Sequence, residues 1–180
     1  MAAALGAALM MASAALGVAL ITAPSALAQA QETPPPAPPP VARAPEYGLP
    51  ISAEKAKAAA TAALEEAKKN NWRMAVAVVG PDGALIYYEQ MDGSQNASFM
   101  LAHAKARTSA LFRRSTRVFV DQFAAGNVAF MTFPDGARPT ASEGGLPIIV
   151  DGKIIGAIGV SGGTGQQNGV AATAGVNAVK

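Results

Sequence analysis

The chain has 180 residues, 51% of them hydrophobic, with 14 Lys or Arg against 12 Asp or Glu, one histidine and no cysteine. Without cysteine there are no disulfides, thiolate zinc sites, iron–sulfur clusters or cysteine nucleophiles, and a lone His103 excludes multi-histidine zinc motifs. A net charge of +2 is too mild to argue for nucleic acid as a partner.

Residues 1–28 carry no charged side chain and end in Ala26-Leu27-Ala28, the small-x-small pattern of a signal-peptidase site. A retained membrane anchor is the competing reading, since the run is long enough to span a bilayer. Its alanine content and Pro24 favour a cleaved signal peptide, and either reading exports the rest of the chain, as a periplasmic or secreted protein. Residues 29–50 hold eight of the 13 prolines and read as a polyproline-rich linker.

The remaining 130 residues, 51–180, read as one domain. Ser52 is placed to cap a helix reaching about Asn70, with Ala56, Ala59, Ala60, Ala63, Leu64 and Ala67 as its apolar stripe. Small residues along that stripe suit close packing on a sheet. Met74 to Val79 is a buried strand, Gly80-Pro81-Asp82-Gly83 a turn, and Ala84 to Met91 the returning strand. Helices follow from about Asn96 to Arg114 and from Val118 to Ala125, and Val128 to Phe133 suggests a short extra strand.

Ten of the 18 glycines fall between Glu143 and Gly175. Leu146 to Val150 and Lys153 to Val160 form a hairpin through Asp151-Gly152, a dipeptide suited to a type I′ turn. A helix from about Gln166 to Lys180 closes the chain. Hairpins alternating with helices predict an α+β fold with an antiparallel sheet.

Most chemical motifs fail. Gly159-Val160-Ser161-Gly162-Gly163 matches G-x-S-x-G, but neither an acid nor a histidine follows Ser161 to complete a hydrolase triad. No nucleotide-binding P-loop is present, although the N–H groups of Gly162 to Gly165 at a helix start could meet an anion. Lys105, Arg107, Arg113, Arg114 and Arg117 scatter around a helix and its end, which reads as a solvated basic surface. His103 is either a core or boundary histidine or an axial ligand to haem iron, where one imidazole suffices. Met91, Met100, Met131, Tyr87 and Tyr88 are candidates to complete such a pocket.

Three segments carry a family resemblance. They are Met74 to Leu85 with Gln90-Met91-Asp92-Gly93, then Ala104 to Thr108 running into Phe112 to Thr116, and finally Glu143 to Gly163. In order and spacing these resemble the GlcG/HbpS-type haem-binding family over roughly residues 47–180. The resemblance implies a small three-layer α/β/α domain with a central antiparallel sheet, usually oligomeric and often exported. Members bind haem or related small ligands, and some are described as haem-degrading. This chain departs from the usual pattern at Gly80, Gln90, Ser115 and Asn168, which replace an Asp, an Arg, a Pro and an Asp.

Two function classes follow. In the first, an exported module binds haem or a small anionic ligand, for uptake, sensing or degradation. Its pocket would be framed by Met91, Asp92, His103, Lys105, Arg107 and the turn Glu143, Gly144, Gly145, with apolar walls on the macrocycle and cations at its carboxylates. In the second, an enzyme without a cofactor acts on a small carboxylate, with Glu143 or Asp92 as base and Lys105 or Arg107 holding the anion. An oligomeric accessory subunit is the blandest option. Alanine-faced helices and glycine-rich strands favour a homo-oligomer in each case.

Overall fold

The computed structural model describes residues 43–180, so the leader and most of the proline-rich segment lie outside the described residues. Five strands generate the sheet. Strand β2 (Ala75–Val79) pairs antiparallel with β3 (Leu85–Gln90) on one side and with β5 (Lys153–Ser161) on the other. Strand β4 (Gly145–Val150) pairs antiparallel with the far edge of β5. Asp151 and Gly152 both take positive φ between β4 and β5, as a type I′ turn requires.

The fifth strand was not anticipated. β1 (Glu46–Tyr47), in the segment read as a linker, pairs in parallel with Lys153 and Ile154 of β5. Backbone bonds from Gly48 N to Ile154 O (2.8 Å) and Ile51 N to Ile155 O (2.7 Å) continue the attachment.

Alternation along β2 sorts the side chains into two cores. Val76 and Val78 face α1 (Ala53–Lys69) and α4 (Gly165–Asn177), packing with Ile158, Val160 and the alanines of both helices. Ala75, Ala77 and Val79 face α2 (Ser98–Phe112), where Ala102, Ala106 and Ala110 seal the second layer. The result is the three-layer α/β/α architecture expected. Gly159 of β5 is essential to the second layer: a Cβ there would collide with the carbonyl of Ala102 and the amide of Ala106.

Helix α1 begins where Ser52 accepts a bond from Lys55 N, and its predicted stripe is buried throughout. Helix α3 (Arg117–Ala124) leads into a 3-10 turn, Ala129–Thr132, instead of the short strand expected at Val128 to Phe133. Among the described residues this run pairs with no strand of the sheet. Its apolar side chains pack on aromatic neighbours instead: Phe119 lies edge-on to Phe112 (5.1 Å) and Phe130 (5.7 Å), and Phe133 stacks parallel to Phe112 at 6.4 Å. The segment after α2 is therefore an arm with a small aromatic core of its own.

Candidate functional site

Helix α2 lays its alanine face on the sheet, which turns His103 and Arg107, one turn apart, toward the arm. Between α2 and residues 136–140 lies a cleft of about 340 Å³. Phe99, Met100, Leu111 and Phe112 form its apolar wall, and His103, Arg107 and Arg138 supply its polar groups. Phe99 is held edge-on against Tyr88 at 5.0 Å. The stem of Arg107 passes over Gly83 of the β2–β3 turn, and its guanidinium donates to the carbonyl of Gly136 at 3.1 Å. Arg138 pairs with Asp135 at 2.8 Å and donates to the carbonyl of Phe133 at 3.0 Å.

His103 Nε2 is buried without a hydrogen-bond partner, a condition that costs about 1–3 kcal/mol when nothing relieves it. A histidine in the cleft wall whose buried ring nitrogen has no partner, apolar surface beside it and two guanidinium groups at the rim are the residue types that a haem needs. His103 is the residue that would hold the iron, and Arg107 and Arg138 those that would meet the carboxylates.

The other residues expected at the site lie elsewhere. Met91 packs into the α1 side of the molecule, and Met91 and Asp92 border a separate cleft with Leu64, Glu65 and Lys68 of α1. Strand parity explains the separation, because α1 and α2 cover opposite faces of the sheet. Asp92 uses its carbonyl to receive Arg73 at 2.8 Å. Among the methionines and tyrosines considered, Met100 borders the His103 cleft and Tyr88 supports it through Phe99, whereas Met91, Met131 and Tyr87 do not line it.

Glu143, Gly144 and Gly145 form a third place, at the start of β4 beside α4. Lys105 is there too, and it is not part of a solvated surface. Three residues beyond Ala102 on the same face of α2, it is only 1% exposed and donates to the carbonyl of Val160 at 3.0 Å. Burial pushes its ammonium down to about 8, with Glu143 acting in the opposite direction. Glu143 is bonded to Arg117 at 3.1 Å, and Arg117 also holds Asp121 at 2.7 Å. Gly144, at φ +122°, and Gly145 leave no room for a Cβ against Val160, Asn168, Lys105 and Thr116. Glu143 and Lys105, one of the pairings the enzyme reading allowed, lie near each other, but Lys105 is buried behind the turn and is not open to a substrate carboxylate.

The anion site considered at Gly162 to Gly165 is closed by the protein itself. Gly163 N bonds to Asn168 Oδ1 (3.1 Å) and Thr164 N to Gln167 Oε1 (2.9 Å), which completes a capping box at the start of α4. Ser161 is buried within β5. Arg138, Gly136, Ala137 and Thr140 were missed, because they sit in an irregular loop that no periodicity marks.

Comparison with known proteins agrees with this fold. A sequence model of the family described as "Haem degrading protein HbpS-like" matches residues 51–177. Protein GlcG of Escherichia coli K12 is 42% identical over 111 residues, covering 62% of this chain and 81% of GlcG. A crystal structure of a double mutant of Streptomyces reticuli HbpS superposes with a TM-score of 0.67 at 27% identity, covering 81% of this chain and 99% of that one. The PduOC:heme complex has the same fold, with a TM-score of 0.67 at 24% identity, covering 73% of this chain and 96% of that one. The match spans both core layers and the helix that carries His103, and the chain belongs to the HbpS-like family.

Proposed function

We propose that this protein binds haem, or a closely related anionic tetrapyrrole, in the cleft between α2 and the loop at residues 136–140. The observation that carries the reading is the combination in one cleft of His103, whose buried Nε2 has no partner, an apolar wall and two arginines. Membership of a family described as haem-degrading supports it, as does a protein of the same fold solved with heme. His103 supplies a nitrogen ligand, Phe99, Met100, Leu111 and Phe112 exclude water from the macrocycle, and Arg107 and Arg138 neutralise its carboxylates. The bound haem would bring the redox chemistry of its iron, and the protein would set its ligand and polarity.

The uncharged leader ending in Ala26-Leu27-Ala28 supports export, which places the proposed binding outside the cytoplasm, in uptake, sensing or degradation of haem. The test is a haemin titration of the purified protein followed at the Soret band. Saturable binding near one haem per cleft is expected, with a shifted band and weaker affinity in His103→Ala. No saturable change in the wild type sinks the haem reading, whereas an unaltered mutant spectrum sinks only the assignment of His103.

A further inference from the structure

The loop over the His103 cleft is fastened in an unusual way. Within it, Ala137 N bonds to Pro134 O (3.0 Å), and Arg138 bonds to Asp135 and Phe133. These contacts shape the loop but do not attach it. Its base is tied where Thr140 N donates to Thr108 Oγ1 of α2 at 2.9 Å. Its tip, Gly136, stands at φ +83° with nothing within 4 Å of a Cβ position, so side-chain packing does not hold it. Among the described residues, the tip's bond to the rest of the fold is the one from Arg107 to the Gly136 carbonyl.

Arg107 therefore serves a neutral acceptor while it stands in the wall of a cleft suited to an anion. A carboxylate is the stronger partner for a guanidinium, because both groups are then charged and two parallel bonds can form. A ligand carboxylate that engages Arg107 must compete with the Gly136 carbonyl for the same donors.

We propose that residues 134–140 are a strap across the His103 cleft, tethered at its tip by Arg107, and that a ligand carboxylate taking that arginine frees the Gly136 tip while Arg138 stays with the ligand. The inference rests on the ligand reading above and adds a coupling: occupancy of the cleft is transmitted to the loop and to the aromatic arm from which it emerges. Arg107 is then both the carboxylate receptor and a positioning residue for the strap. A ligand without free carboxylates can fill the apolar cleft yet leaves the strap closed.

Hydrogen–deuterium exchange of the full chain, read at the amides of Ala137 and Thr140, tests this. Saturating haemin is expected to speed their exchange about tenfold or more, the scale of losing one charge-assisted bond. Haemin dimethyl ester, which lacks free carboxylates, is expected to leave exchange unchanged. Arg107→Gln without ligand should already exchange fast and show no further response. Exchange in Arg107→Gln equal to that of the wild type overturns the tether whatever haemin does. Haemin that titrates the Soret band but leaves the loop protected overturns the release, and the haem reading survives. A loosened loop in Arg107→Gln, together with no Soret change in the wild type, supports the tether and removes haem as its ligand.

Discussion

Lys105 shows how one side chain can be chemically conspicuous and still have a structural task. Its ammonium reaches the Val160 carbonyl through the core, and the neighbouring Asn168 is a neutral residue whose amide is engaged with Gly163. Burial lowers the lysine from 10.5 to about 8. A group depressed in the folded state contributes its full stability above the unfolded value, and loses it as pH falls through the folded value. Stability attributable to Lys105 should therefore rise from about pH 8 to pH 10.5, by about 3 kcal/mol. Urea unfolding of wild type and Lys105→Met at pH 7, 8.5 and 10 checks it. The difference between the two should move in favour of the wild type as pH rises, and a flat difference would refute the assignment. The residue scale was also where the sequence was least legible. His103 and Arg107 are one helical turn apart and could be paired by spacing, but Arg138 joins them only through a loop whose path no local pattern encodes. Met91 and Asp92, expected to frame the same pocket, lie apart from them because the parity of β2 places α1 and α2 on opposite faces.

Among the elements, strands and helices with a buried stripe could be read directly, since period-2 and period-3.6 burial leaves a trace in the residues. The exceptions lack such a trace. Glu46 and Tyr47 of β1 are both exposed among prolines, and the strand is held by backbone pairing, by Tyr47 Oη donating to Ala110 O at 3.0 Å, and by Arg113 over the tyrosine ring at 5.6 Å. Val128 to Phe133 has the composition of a strand, but aromatic packing in the arm determines its conformation. The close approach of α2 to β5 at Gly159 gives an element-scale prediction. Gly159→Ala should cost about 2 kcal/mol or more, because the added methyl meets backbone of α2 that cannot rotate aside. A lowered thermal midpoint, with reduced haemin affinity as α2 shifts, is the expected result. An unchanged midpoint would mean that the two layers have more freedom than their contact distance allows.

For the whole molecule, the unsatisfied surfaces bear on assembly. β3 pairs only with β2 and β4 only with β5, so each leaves one edge of backbone donors and acceptors unpaired within the described chain. Leu85 on β3 is exposed, as are Phe99 and Met100 on α2, and Phe99 is joined to β3 through Tyr88. Among the described residues no helix is long and apolar enough to cross a membrane. Self-association through the β3 side would cover the edge and the apolar residues together, and a symmetric pair would need no second surface. Light scattering at micromolar concentration is expected to give a multiple of the chain mass, and Leu85→Lys should shift the population toward the monomer through the charge it places at that edge. If the wild type scatters as a monomer, self-association through β3 is ruled out. If the wild type is oligomeric and Leu85→Lys leaves its mass unchanged, copies meet elsewhere, with the free edge of β4 as the alternative to test next.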